Sequence, residues 1–368
     1  MTAADTTIPT FITRPDWYGD GAPDPLAATG RQLRWGIVST GSIAHTVTGD
    51  IALLEDAVIH AVSSRGEQSA AEFAAKFDAR KSYFDQQGVT GYQQMFDDPD
   101  VDVVYIGTPH GQHYQVAKAA LESGKHVLCE KALTINAREA EELIELARER
   151  GLFLMEALWA RFTPGVQRAL ELVSSGVFGT IHWVRADVGF PAPKDPDSRI
   201  WAPEAGGGAL LDLTVYPLLW AWAVFGAPDS VQATGTLTDF GVDAQNAITL
   251  DYRGGGQAQL MSSLLSQGPR QADLGGTEGV LSTVGSIHNP DGLSIRYGWN
   301  GSGWDQERVE TFSPVGRGYT YQLREVTRCI QQGLQQSPTM PWADSLAIMR
   351  LFDGVRAQLG VSYPNDRR

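Results

Sequence analysis

From Leu33 onward, apolar and polar positions alternate in blocks. Short, continuous apolar runs read as strands buried on both faces, and each is followed by a stretch with helical spacing. Strands are predicted at 33–39, 58–63, 101–107, 125–129 and 153–157, with a short one near Tyr83. Helices are predicted at 42–54, 68–77, around 92–96, at 112–123 and up to Arg150. Gly124 stands at one helix C-terminus, and Asn136 and Gly151 bracket the last helix as caps. Strands alternating with helices at this spacing predict a doubly wound parallel sheet of the Rossmann type.

After about residue 160 the texture changes. Strand-like runs at 180–189, 230–238, 244–252, 257–266 and 279–284 follow one another with turn signals between them, such as Arg253-Gly254-Gly255-Gly256. They predict an α+β domain with a large open, mainly antiparallel sheet. Helices at 206–225, 318–333 and 343–359 accompany it. Residues 1–32 carry four prolines (Pro9, Pro15, Pro23, Pro25) and little periodicity, the pattern of an extended arm. The domain reading is therefore an arm at 1–32, a doubly wound domain of the Rossmann type at 33–158 and an α+β domain at 159–368. The last helices stand where they can pack back on the first domain.

A chain of 368 residues with 42% hydrophobic and 20% charged positions suits two soluble domains. The net charge of −14 disfavours nucleic acid and anionic membrane surfaces, which need a basic face. The apolar segment 209–225 is interrupted by Asp212, Thr214 and Pro217, so a buried core helix is expected there rather than a membrane span. The N-terminus has neither the basic start nor the apolar core of a secretory signal, and only two cysteines occur, Cys129 and Cys329. A reducing, cytoplasmic setting is expected.

The chemistry gathers where strands end, because ligands of open α/β sheets bind at the carboxyl ends of the strands. The first strand runs into Ser39-Thr40-Gly41-Ser42-Ile43-Ala44. This matches G-x-G-x-x-G/A with Ser39 in the first glycine's place. Gly41 lets the backbone approach a pyrophosphate, Ala44 lets the helix pack closely, and the helix N-terminus favours the anion. The second strand ends in Ser63-Ser64-Arg65, with no acid to accept bonds from the ribose hydroxyls. An arginine there can pair with a 2′-phosphate, so NADP is preferred and NAD remains possible. Thr108-Pro109-His110 and His113 follow the fourth strand and suit the nicotinamide half of the cofactor. The two histidines lack further ligands nearby, and no metal is expected. Trp159, Arg161 and Phe162 follow the sixth strand: Arg161 is a candidate cofactor contact, and the two rings are candidate walls of the nicotinamide pocket. Arg199 and Trp201 are candidate substrate contacts.

Lys131 lies just past the strand at 125–129, and Gly206-Gly207-Gly208 leads into Asp212 and Tyr216, which share a face if the segment is helical. Oxidising a secondary alcohol needs a hydride acceptor and a proton acceptor. Tyrosine titrates near 10, and an adjacent ammonium lowers that value. Tyr216 is thus the candidate proton-transfer group with Lys131 as its electrostatic partner. In a close variant Lys131 is itself the acid/base. Asp212 orients one of them or a substrate hydroxyl.

These segments resemble the glucose–fructose oxidoreductase / inositol dehydrogenase / MocA family, at 36–44, 105–113, 127–131, 153–164 and 206–216, within a similarity spanning 33–360. The pair Glu130-Lys131 and the triple glycine with Asp212 are the specific parts. The run 152–162 and Tyr216, where much of the family has histidine, look most like the branch of NADP-dependent dimeric trans-dihydrodiol dehydrogenases and D-xylose dehydrogenases. The resemblance implies a dehydrogenase for a sugar or cyclic diol, Glu130 and Lys131 beside the cofactor, and a homo-oligomer formed through the open sheet. Two other readings of such a chain are a glycoside-cleaving enzyme that uses NAD without net redox, and a non-catalytic dinucleotide sensor. Ala132 departs from the family's Glu-Lys-Pro, so the turn presenting Lys131 is expected to be built differently or to be looser.

Overall fold

Strand β1 (Leu33–Val38) is buried along almost its whole length, as a strand covered on both faces must be. It pairs in parallel with β2 (Ala57–Ser64) on one side and β4 (Val103–Ile106) on the other. With β3 (Lys81–Phe84), β5 (His126–Glu130) and β6 (Leu154–Ala157) they form a parallel sheet of order β3-β2-β1-β4-β5-β6. Helices α1 (Ser42–Ile51), α2 (Glu67–Phe77), α3 (Gly91–Phe96), α4 (His110–Glu122) and α5 (Ala137–Arg150) connect the strands. The strand order reverses between β1 and β4, and the crevice at such a switch point is where doubly wound sheets bind ligands. The computed structural model describes residues 22–193, 195 and 198–367. Most of the arm expected at 1–32 therefore lies outside the described residues.

Four more helices follow: α6 (Pro164–Ser174), α7 (Val215–Phe225), α8 (Thr320–Gln331) and α9 (Trp342–Leu359). The chain divides into two compact units. The cofactor unit takes Pro23–Trp159 and also Val315–Met349, which brings α8 to the parallel sheet's side. The sheet unit takes Ala160–Pro314 and the residues from Arg350 onward.

Within the cofactor unit α8 is held by charge. The Arg324 guanidinium donates to the carbonyls of Pro25 and Leu26 and pairs with Asp56 at 2.8 Å, with both side chains buried. Residues 25–31 are thus tied down along α8, although they form no helix. Burial pushes the Asp56 carboxyl up, but the Thr29 N–H, the Gln331 amide and Arg324 together hold it below the usual range. At the start of the same helix, Asp50 accepts the N–H groups of Arg317 and Tyr319 at 2.9 Å and so fixes the turn that enters α8.

The sheet unit holds β7 (Ile181–Gly189), β8 (Ser230–Leu237), β9 (Asp243–Asp251), β10 (Gln257–Ser263), β11 (Ala272–Gly276), β12 (Gly279–Ser286), β13 (Asn289–Trp299) and β14 (Trp304–Thr311). Their order is β14-β13-β12-β11-β7-β10-β9-β8, and every pairing is antiparallel except β7 with β10. On β7, Val184, Ala186 and Val188 point inward, towards the side on which α7 packs. The alternate face carries Trp183, Met261 and Val309, which are 43%, 49% and 59% exposed. The segment Pro203–Phe225 is long and apolar enough to cross a membrane by composition, yet 83% of its most apolar window is buried as a core helix.

The sequence pattern missed α6, β11, β13 and β14. Strand β11 is short and ends in two glycines, and β13 opens on Asn-Pro-Asp-Gly, which reads as a turn. Strand β14 is an edge strand rich in charge, a common way of keeping an edge from pairing with another chain, and that charge hides its alternation.

Replacing Arg324 by Met should leave Asp56 buried without its cation and cost about 3–5 kcal/mol, read by denaturant unfolding at pH 7. Because the Asp56 pKa is depressed in the fold, this contribution is present above the ordinary carboxylate range and is lost as the pH falls below it. The gap between variant and wild type should therefore narrow in acid.

Candidate active site

The first turn of the cofactor unit is built for an anion. Ser39 adopts a φ of 97°, a conformation that glycine ordinarily supplies, and its Oγ accepts the Gly41 N–H at 3.1 Å. The side chain thus repays locally some of the strain it introduces. No side chain caps α1, whose N-terminus begins at exposed Ser42 and half-buried Ile43, while Ala44 is buried. A Cβ at Gly41 would meet nothing closer than Ser39 Oγ at 3.4 Å, so the backbone is open to a close ligand. These residues fit a pyrophosphate. Thr40 Oγ1 lies 3.3 Å from Ser64 Oγ, which lies 2.8 Å from Ser69 Oγ, so the turn is linked to the end of β2. Arg65, the next residue, is exposed.

At the end of β5, Glu130 is buried and accepts the Tyr105 hydroxyl at 2.9 Å. Burial and then the Glu130 charge push the Tyr105 phenol far above its ordinary value, so it stays a donor. Lys131 follows, half-buried, and the Lys131–Ala132 peptide bond is cis. His110 Nε2 sits 2.9 Å from the Lys131 carbonyl. The ring of His113 spans the Ala132 and Thr108 carbonyls, at 2.9 Å each. Two carbonyl partners favour the imidazolium, but complete burial outweighs them and lowers the His113 pKa. The two histidines, expected as contacts to the nicotinamide half, brace the Lys131 turn, with Pro109 as the residue before α4. Glu156 also accepts the Leu133 N–H at 3.1 Å, so buried side chains bond the turn at Ala132 on both of its sides. Trp159 is buried and stacks on Tyr319 with ring centroids 4.3 Å apart. Sequence reasoning missed Tyr105 and Tyr319; a phenol inside an otherwise aliphatic buried strand was the available signal for the first.

The sheet unit holds the other candidates. Asp212 lies in a π-helical turn, Leu210–Thr214, that leads into α7, and Tyr216 is the second residue of that helix. π turns inserted in α-helices are frequent at functional sites. Arg199 Nη1 approaches Asp212 Oδ1 to 3.4 Å. The Tyr216 ring lies 4.9 Å from that of His288, which sits in the turn between β12 and β13 beside Ser286 Oγ at 3.1 Å. His288 was also missed, because nothing in the sequence brings residue 288 to residue 216. Trp201 is buried and donates its indole N–H to the Pro193 carbonyl at 2.8 Å, and Phe162 and Arg161 are buried, the Arg161 carbonyl accepting the Gln167 amide. Arg199, Asp212, Tyr216 and His288 together offer a cation, an anion, a phenol and an imidazole, a set able to bind hydroxyl groups and move a proton.

Residues 33–158 match a family described as an oxidoreductase family with an NAD-binding Rossmann fold, and residues 166–282 match the GFO/IDH/MocA C-terminal domain. A trans-1,2-dihydrobenzene-1,2-diol dehydrogenase of Mus musculus is 36% identical over 350 residues, covering 91% of this chain and 99% of that one. The chain belongs to the GFO/IDH/MocA oxidoreductase family. Its Rossmann unit accordingly serves a nicotinamide dinucleotide. The enzyme of the same name from Xenopus tropicalis is 34% identical over 339 residues, covering 90% of this chain and 99% of that one. Among solved structures, KijD10, a 3-ketoreductase from Actinomadura kijaniata in complex with NADP and TDP-benzene, matches with a TM-score of 0.77 at 26% identity, over 89% of this chain and 98% of that one. An aldose-aldose oxidoreductase from Caulobacter crescentus shares the fold, with a TM-score of 0.78 at 22% identity over 92% and 99% of the two chains.

Two substitutions test this geometry. Ser39→Gly should relieve about 1–3 kcal/mol of backbone strain and lose a hydrogen bond worth about 1 kcal/mol, so dinucleotide binding and stability should hold. Ser39→Val keeps the strain and loses the bond, and should lower both in a dinucleotide titration and a thermal melt. His288→Ala removes a ring contact worth about 0.5–1.5 kcal/mol. It should weaken alcohol turnover about three- to tenfold while dinucleotide affinity is unchanged, and His288→Phe should restore much of the loss.

Proposed function

We propose that this protein is an NADP-dependent dehydrogenase that oxidises a secondary alcohol of a sugar or cyclic diol. The observation that carries the reading is the π turn that puts Asp212 and Tyr216 at the head of α7, in a chain 36% identical to a named trans-dihydrodiol dehydrogenase over almost its full length. Net redox is favoured over the glycoside-cleaving and sensing readings, since the named relatives are dehydrogenases and the structural neighbours are reductases and oxidoreductases.

The bound dinucleotide supplies the hydride acceptor. The chain's own part is to hold the alcohol and take its proton. Tyr216 takes that proton. In the variant reading Lys131 takes the proton itself. Asp212 accepts a substrate hydroxyl, and Arg199, 3.4 Å away, orients the Asp212 carboxylate. Gly41, Ser42 and Ile43 receive the pyrophosphate at the start of α1. Ser64 and Arg65 bind the 2′-phosphate that distinguishes NADP from NAD. Trp159, with Tyr319 behind it, backs the nicotinamide. A second copy of the chain covers the sheet face that exposes Trp183, Met261 and Val309. The setting is the cytoplasm.

A panel of aldoses, anhydrosugars and trans-dihydrodiols, run with NADP and NAD, tests the function: no reduction of either dinucleotide by any of them would sink it. Tyr216→Phe should cost about a hundredfold or more in turnover and remove the limb of the pH profile that rises with the phenol's ionisation. Near-normal turnover of Tyr216→Phe, with loss in Lys131→Met, would hand the proton to Lys131. Arg65→Ala should lower NADP efficiency about tenfold or more and leave NAD nearly unchanged.

A further inference from the structure

Asp243 opens β9 and is completely buried. Its Oδ2 accepts the Leu210 N–H at 2.9 Å and the Asn246 side-chain amide at 2.9 Å. The same amide donates to Thr214 Oγ1 at 3.1 Å, and Thr214 Oγ1 lies 2.9 Å from Ser262 Oγ. Asp243, Asn246, Thr214 and Ser262 are all at most 2% exposed. A polar chain therefore runs between an apolar helix and the sheet, and it grips the first and last residues of the π turn, Leu210 and Thr214.

The backbone before the turn is shaped to the same carboxylate. Gly208 has a φ of 108°, and a Cβ there would lie 2.5 Å from Asp243 Oδ1. The Gly207 carbonyl accepts the Tyr363 hydroxyl at 2.6 Å. Burying these groups costs more than packing apolar ones in their place would, so stability is a poor reason for them. Only one oxygen of Asp243 is bonded, Oδ2, while the buried Oδ1 has no hydrogen-bond partner among the described residues, and a directional polar network of this kind selects one backbone geometry. Here that geometry matters, because a π turn holds one residue more than an α turn and so changes where Asp212 points relative to Tyr216.

We propose that Asp243 is a positioning residue: through Leu210 and Asn246 it holds the π turn that aims Asp212 alongside Tyr216. The inference rests on the reading in which those two residues serve the reaction. Burial pushes the Asp243 carboxyl up to about 6, against the bonds from Asn246 and Leu210. The other ionisable groups facing it are Tyr363 and, behind the Tyr363 ring, Arg356 of α9, itself paired with Asp353 and Asp366. A raised carboxyl pKa stabilises the fold below the ordinary carboxylate range, and that gain is lost as the pH rises through about 6. At pH 8 the fold thus carries a buried charge that an asparagine would not.

The test compares Asp243→Ala, Asp243→Asn and Thr214→Val in the full-length protein. Asp243→Ala and Thr214→Val should lower kcat by about tenfold to a hundredfold, with dinucleotide affinity within about twofold of wild type. Asp243→Asn keeps an acceptor for Leu210 and should rescue kcat, while melting no lower than wild type at pH 8 and losing that advantage at pH 5. Hydrogen exchange over 208–216 should rise in the first two variants and not in Asp243→Asn, whether or not a substrate is in hand. Wild-type kcat in folded Thr214→Val and Asp243→Ala would overturn the proposal, as would unchanged exchange over 208–216. An inactive wild type would instead count against the dehydrogenase reading, and the exchange data would still decide the role of Asp243. Should Asp243→Ala fail to fold, Thr214→Val, in which the carboxylate stays bonded to Leu210, carries the same comparison.

Discussion

Backbone groups that leave a strand or helix must still find hydrogen-bond partners once water is excluded, and in this protein buried side chains provide them at several turns that carry candidate site residues or lead into α8 and α7. His110 and His113 take the carbonyls of Lys131, Ala132 and Thr108. Glu156 takes the Leu133 N–H, Asp50 the N–H groups of Arg317 and Tyr319, and Asp243 that of Leu210. Each of these side chains is buried. The turns they hold are short and irregular, and none could keep one conformation through its own backbone bonding.

The parallel sheet sets where these turns lie. Its order reverses between β1 and β4, so the turns after β1, β2, β4, β5 and β6 all open at the carboxyl edge. Ser39 shows how tightly the first turn is specified. The position demands a positive φ even when the residue is not glycine, and the side chain compensates with a bond to Gly41. In the sheet unit the equivalent specification is the extra residue in the π turn, held from below by β9 and β10. The same fold tolerates an exposed apolar face on its large sheet, where the outward positions of β7, β10 and β14 include Trp183, Met261 and Val309.

Periodicity was enough for five of the six parallel strands, because a strand buried on both faces is a nearly continuous apolar run bounded by turn residues; the half-exposed edge strand β3 shows only as a short run near Tyr83. It was enough for α5, with Asn136 accepting the Glu139 N–H as cap and Gly151 at positive φ. It failed where local residues contradict the element they form: Pro290 and Gly292 inside β13, the charges of β14, the glycines closing β11. In those strands pairing with neighbours overrode local preference, and pairing partners are distant in sequence.

The sequence by itself determined the fold class, the strand–turn–helix at Ser39–Ala44 and the residue types at 130–131, 212 and 216, because each follows from spacing within one short segment. Tertiary structure alone decided what surrounds them. That His113 braces the Lys131 turn, that Tyr319 stacks on Trp159, that His288 lies against Tyr216 and that Asp243 holds Leu210 all join residues from 19 to 160 positions apart. Such pairs are fixed by the packing of elements against one another, and no periodicity along the chain encodes that packing.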